Sequence, residues 1–82
     1  MDKAIIVLHL HKANKKIDLE IPLNITANDL IIALNKGFNL GMDIEDITEC
    51  YLKTENPIAL LKGNRTLAEY KVRNGTVINI TS

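Results

Sequence analysis

The side chains able to do chemistry in this 82-residue chain are few and scattered. His9 and His11 stand two apart in a strand-like run, so they share a face and could supply two corners of a metal site. Zinc sites take three or four protein ligands, and no third ligand stands near this pair in the sequence. The pair therefore reads as solvent-facing histidines. Cys50 is the single cysteine, which rules out an intrachain disulfide and a thiolate metal cluster. As a nucleophile it would need a neighbouring base and a lowered pKa. It reads instead as a small hydrophobe opening a strand. The acidic run from Asp43 to Glu49 resembles a calcium loop in charge alone. Such a loop wants oxygen ligands at its first, third and fifth positions and a glycine at the sixth. Counted from Asp43, those places hold Asp43, Glu45, Ile47 and Thr48, so the run reads as a solvated connection. Lys12, Lys15 and Lys16 form a small basic tip with at most a steering role. No phosphate-binding loop, catalytic triad or facing pair of carboxylates can be assembled. The sequence is read as a non-enzyme with no cofactor and no metal.

Ten basic and ten acidic residues cancel to a formal net charge of zero. A general nucleic-acid binder needs clustered Lys and Arg for its phosphate contacts, and a polybasic membrane-surface segment needs the same excess. Both classes are excluded as expectations. Hydrophobic residues at 46% and charged ones at 24% fit an ordinary globular domain, and the length allows one, residues 1–82. No apolar run approaches the 18 or so residues of a membrane span. The start, Met1-Asp2-Lys3-Ala4, leads straight into a strand pattern rather than a signal peptide, and a lone thiol suits a reducing compartment. The expected location is the cytoplasm, with no direct membrane insertion.

These residues must be positioned by short elements. Residues 3–11 are rich in β-branched and apolar types, and a polar cluster with Asn14 follows. Ile17-Asp18-Leu19-Glu20-Ile21 alternates cleanly and closes at Pro22, which predicts a hairpin with one buried face. Matching Ile17, Leu19 and Ile21 to an apolar partner set turns Ile6, Leu8 and Leu10 inward. Ile5, Val7, His9 and His11 then face out. The period changes at Thr26-Ala27-Asn28-Asp29, which has the form of a capping box, and Leu30, Ile31, Leu34 and Phe38 make one helical stripe. The helix is predicted over 27–36, with Gly37 or Gly41 as its left-handed cap. Met42 to Glu49 reads as a polar connection. Strands are predicted over 50–54 and 58–61, broken by Asn56-Pro57. A helical turn is predicted over 65–70. Asn74-Gly75 then turns the chain into a last strand, Thr76 to Thr81.

The order ββαββ, a short helical turn and β, in a chain of this length, resembles the ubiquitin-like β-grasp roll. The likeness is tightest over Gly63-Asn64-Arg65-Thr66-Leu67-Ala68-Glu69-Tyr70-Lys71-Val72. It implies an α+β fold in which a mixed sheet packs on one helix. It also implies that Leu67 and Tyr70 anchor the turn, with the Tyr70 hydroxyl bonded to backbone. Asp18-Leu19 with Pro22, Leu30-Ile31, Leu60-Leu61, Leu67, Tyr70, Val72 and Asn74-Gly75 together resemble the YukD/EsaB family of Gram-positive type VII (WXG100-type) secretion systems. Ubiquitin and the sulfur carriers act through a Gly-Gly tail. Here Ile80-Thr81-Ser82 stands directly after the last strand, so a non-conjugated protein is expected. Ubiquitin's apolar recognition patch is also replaced, by Lys53, Asn79 and Thr81.

The resemblance therefore implies a non-covalent binding module, an accessory or regulatory component whose partners are other proteins of the secretion apparatus. The alternative is an auxiliary subunit of a multicomponent enzyme such as a monooxygenase. The residues themselves offer a candidate contact surface of Ile5, Val7, His9, Lys12 and Lys15.

Overall fold

Alternating apolar residues at the start of the chain bury one face of a hairpin, and everything else packs against that face. The computed structural model describes residues 2–81. Its elements are β1 (Lys3–Leu10), β2 (Lys15–Pro22), α1 (Ala27–Phe38), a 3-10 helix (Ile44–Glu49), β3 (Leu52–Glu55), β4 (Ala59–Leu61) and β5 (Val77–Ile80). The five strands form one sheet in the order β2-β1-β5-β3-β4. β1 and β5 run parallel, and the other neighbours are antiparallel. A mixed sheet on one helix is the α+β roll that the sequence implies.

The register of the hairpin is as expected. Ile6 and Leu8 are fully buried, with Ala4 beside them and Leu10 partly covered, whereas Ile5 is 52% exposed. Buried Leu30, Ile31 and Leu34 of α1 join Ile78 and Ile80 of β5 and Leu52 and Leu61 of β3 and β4 in one core. Full burial of one such side chain is worth roughly 1.5–3 kcal/mol, and Ile6, Leu8, Ile31, Leu61, Leu67 and Ile78 all reach it.

The helix begins as predicted. Asp29 N–H donates to Thr26 Oγ1 at 3.1 Å, and Thr26 N–H donates to Asp29 Oδ2 at 3.3 Å. Two further N–H groups of the first turn reach the distant loop, Ala27 to Arg65 O at 2.9 Å and Asn28 to Gly63 O at 3.0 Å. The helix end differs from expectation. Neither Gly37 nor Gly41 caps it; Asn39 does, in the left-handed region with φ 53°. Asn tolerates that conformation better than other residues with a β-carbon. The next loop is tied back by Asn35, whose side chain accepts from Met42 N–H at 2.9 Å and donates to Met42 O at 3.2 Å.

The acidic connection is also more ordered than expected. Asp43 Oδ1 accepts from Glu45 N–H at 3.2 Å and opens the 3-10 helix, which carries Ile47 onto the core. Cys50 follows, buried and just ahead of β3, with its thiol 3.4 Å from Asp43 O. Burial pushes the thiol pKa up, and the nearby carboxylates of Asp43, Asp46 and Glu49 push it further in the same direction. β3 starts at Leu52 rather than Cys50, and β4 omits Ile58, which protrudes at 90% exposure.

The turn over 65–70 repeats the capping device. Glu69 N–H donates to Thr66 Oγ1 at 3.2 Å, and Thr66 N–H and its hydroxyl both lie 3.1 Å from Glu69 Oε1, which lowers the Glu69 pKa. Leu67 is fully buried between these residues. The Tyr70 hydroxyl donates to Lys62 O at 2.7 Å and accepts from Lys62 N–H at 3.4 Å, the backbone anchor expected of it.

Two measurements test this fold. Tyr70→Phe should cost about 0.5–1.5 kcal/mol in urea unfolding, because water can reach its bond and soften the loss. Tyr51→Phe, on an exposed ring, should stay within about 0.5 kcal/mol, and equal effects would remove the anchor. Cys50 should react slowly with a disulfide reagent at pH 8 in the native protein and at once in urea. Fast native reaction would contradict its burial and raised pKa.

Candidate protein-binding surface

The face of the sheet turned away from the helix is written out in two rows by the strand registers. One row runs Lys16, His9, Asn79, Lys53, Leu60 across all five strands, and the next runs Asp18, Val7, Val77, Glu55. Ile5, opposite Glu20, continues the β1 column. Ile5, Val7 and Val77 therefore make an apolar strip on the outer sheet surface, with charged side chains on both flanks. Val7 and Val77 are half-buried against each other, while Ile5 is 52% exposed. Lys53 and Asn79 are direct register partners at the middle of the face.

The residues expected at the site are only partly brought together. Ile5, Val7 and His9 lie in one column, as the alternation requires. Lys12 sits exposed in the turn beyond β1. Lys15 shares the parity of Ile17 and Leu19, which face the helix. Lys16, directly opposite His9, is the lysine that lies on the outer face. The expectation for Lys15 is thus corrected by one residue, because the side-chain period of a strand is two. The sequence reading also missed Ile58 at 90% and Leu60 at 45% exposure, which with Tyr51 at 46% make a second apolar group around β3 and β4. A four-residue apolar run gives no period from which to tell its outer residues.

His9 and His11 do share the face, with rings stacked at 3.7 Å between centroids and 26° between planes. His11 Nε2 donates to Asn79 Oδ1 at 2.8 Å, and Asn79 Nδ2 donates to Glu55 Oε2 at 3.0 Å. The proton on Nε2 takes that nitrogen out of use as a metal ligand. Desolvation lowers the His9 pKa, and the charges of His11 and Lys16 lower it further, outweighing the opposite pull of Asn79 and Glu55. Among the described residues no group of three His, Cys, Asp or Glu is placed to hold a metal, and no helix is long and apolar enough to cross a membrane.

Leu67 and Tyr70 belong to a different part of the molecule, the turn that pins the helix start. Thr26 and Thr66 form a bridge there, and the Arg65 guanidinium lies 5.4 Å from the Tyr70 ring centre. Neither lies on the outer sheet face: Leu67 is buried in the core and the Tyr70 hydroxyl is bonded to the Lys62 backbone.

Solved structures similar to this chain share its fold along nearly the full length. A designed protein based on ubiquitin superposes with a TM-score of 0.67 at 14% identity, covering 98% of this chain and 88% of the other. The UBL domain of Plasmodium falciparum Dsk2 gives 0.61 at 16% identity, with 96% and 99% covered. The C-terminal ubiquitin-like domain of mouse tubulin-specific chaperone e gives 0.67 at 14%, with 99% and 89% covered. Identities this low establish a ubiquitin-like fold and leave function open. No curated protein matches the chain. The family model described as "WXG100 protein secretion system (Wss), protein YukD" matches residues 5–80, from the exposed Ile5 of β1 to the last residue of β5. The chain belongs to the YukD family of the WXG100, type VII, secretion system.

Proposed function

We propose that this protein is a cytosolic, non-covalent binding module that joins other protein components of the secretion apparatus in an accessory or regulatory role. The observation that carries the reading is the strip of Ile5, Val7 and Val77, which sits on the outer sheet face with charged side chains on both flanks. An apolar centre within a polar rim is the usual anatomy of a protein contact. Family membership supplies the context in which partners are to be sought. Lys16 and Lys53 against Asp18, Glu20 and Glu55 give the rim both signs of charge. A partner would then be oriented by charge and held by the apolar strip.

The test is capture of other secretion components by the native protein and by Val7→Asp. The substitution should reduce capture at least tenfold while the folded spectrum is kept. Ile32→Asp, on the exposed side of α1, should leave capture unchanged. Equal capture by both variants would move the contact off this face. The non-covalent role is tested separately by incubation with ATP and adenylating enzymes. Neither an adenylate nor a thioester should form, and detection of either would overturn that part of the reading.

A further inference from the structure

β2 is an edge strand, and its free side is defined by the hydrogen bonds of β1. Val7 N–H donates to Thr76 O at 2.9 Å, and Gly75 N–H donates to Ile5 O at 3.0 Å, so the odd-numbered residues of β1 face β5. The even-numbered residues of β1 therefore face β2, where they pair Ala4 with Ile21, Ile6 with Leu19 and Leu8 with Ile17. The backbone groups of Lys16, Asp18 and Glu20 consequently point away from the sheet. Among the described residues no strand pairs with them. Past Pro22 that side is closed, since Ala68 N–H donates to Leu23 O and Leu67 N–H to Ile25 O, both at 3.0 Å. The open stretch is Lys16 to Glu20. The opposite edge, β4, is only three residues long.

Proteins commonly guard such edges with charge. Here the charges complement their own copy. We propose that β2 pairs antiparallel with β2 of a second copy of this chain, about a two-fold axis at Asp18. In that register Lys16 faces Glu20 twice, Ile17 faces Leu19 twice, and the outward groups of Lys16, Asp18 and Glu20 form six backbone bonds. The single unfavourable pair is Asp18 against Asp18.

Neighbouring registers are worse. An axis at Leu19 sets Asp18 against Glu20 twice and brings Pro22, which has no N–H, opposite Lys16. An axis at Ile17 avoids like charges but keeps only four backbone bonds between residues of the strand. Two backbone bonds outweigh one exposed like-charge pair, because each bond is worth about as much as that pair costs or more. Ile17 and Leu19 are half-buried in the single chain, so the pairing also removes apolar surface from water. One strand pair makes a small interface, and the dimer is a weak one that follows concentration.

Sedimentation equilibrium of the full chain from micromolar to millimolar concentration tests the register as well as the association. Asp18→Asn removes the one repulsive pair and should tighten the dimer about two- to fivefold. Lys16→Glu should weaken it by about tenfold, and the double change Lys16→Glu with Glu20→Lys should restore it. Asp18→Pro deletes an outward donor without taking a bond from β1 and should give a monomer with a native spectrum. A native chain that stays monomeric at millimolar concentration overturns the proposal. So does an Asp18→Asn variant that dimerises no better than the native chain, or a Lys16→Glu variant that dimerises as well as it.

Discussion

The parallel pairing of β1 with β5 is the constraint on which the molecule depends. β1 is the second strand of the sheet and β5 the third, so the hairpin reaches the rest of the sheet only through their shared ladder. The pairing joins the two ends of the sequence, with Val7 opposite Val77 and Leu10 opposite Ile80. Closing so long a loop costs entropy that grows only slowly with its length, but the whole cost falls due before the ladder forms. A clamp at the strand entrance offsets it. Ile5 N–H donates to Asn74 Oδ1 at 2.8 Å, and Gly75 N–H returns the bond to Ile5 O. The buried Thr76 hydroxyl accepts from Arg73 N–H at 2.9 Å and donates to Asn56 O at 2.7 Å, tying the same corner to the β3–β4 connection.

Much of this was legible in the residues because the controlling signals are local. Alternation at Ile17, Leu19 and Ile21 fixed which side of β1 is buried, and Thr26 with Asp29 announced the helix start. What stayed hidden depends on tertiary context. Asn39 caps α1 because the chain must turn at that point to deliver Leu40 and Met42 to the core, and glycine spacing alone cannot foresee that. The 3-10 helix forms because Ile47 finds a core to pack on, which makes an acidic stretch look less regular in sequence than it is in space. At the surface, Ile5, Val7 and His9 followed from parity within one strand. Lys16 follows from the same parity, since Ile17 and Leu19 face inward, whereas Val77 and Leu60 required the order of the strands across the sheet. Periodicity within one strand could not supply that order.

The outer face and the free edge meet at the same side chains. Lys16, Asp18 and Glu20 border the Ile5–Val7 column through their side chains, while their backbone groups form the open edge. A strand presents its side chains and its hydrogen-bonding groups in perpendicular directions, so both surfaces can be occupied together. Two copies joined along β2 would place their outer faces on one side of a continuous sheet. A partner contact on that face and the pairing of copies would then reinforce each other by offering two sites at once.

The clamp at Asn74-Gly75 also bears on how the protein ages chemically. An Asn-Gly pair loses ammonia when the following backbone nitrogen attacks the side-chain carbonyl, and the small glycine leaves that attack unhindered. Both atoms are engaged in the folded chain. Gly75 N–H is bonded to Ile5 O, and Asn74 Oδ1 accepts from Ile5 N–H. Ring closure requires this corner to open, so the fold protects its own weakest peptide unit for as long as β1 and β5 stay paired. Where water then opens the cyclic imide to isoaspartate, the backbone is longer by one carbon at the entrance to β5, where the register of the parallel ladder is set. A chain that unfolds often would therefore accumulate a lesion that hinders its return, and deamidation at this corner would keep a record of time spent unfolded.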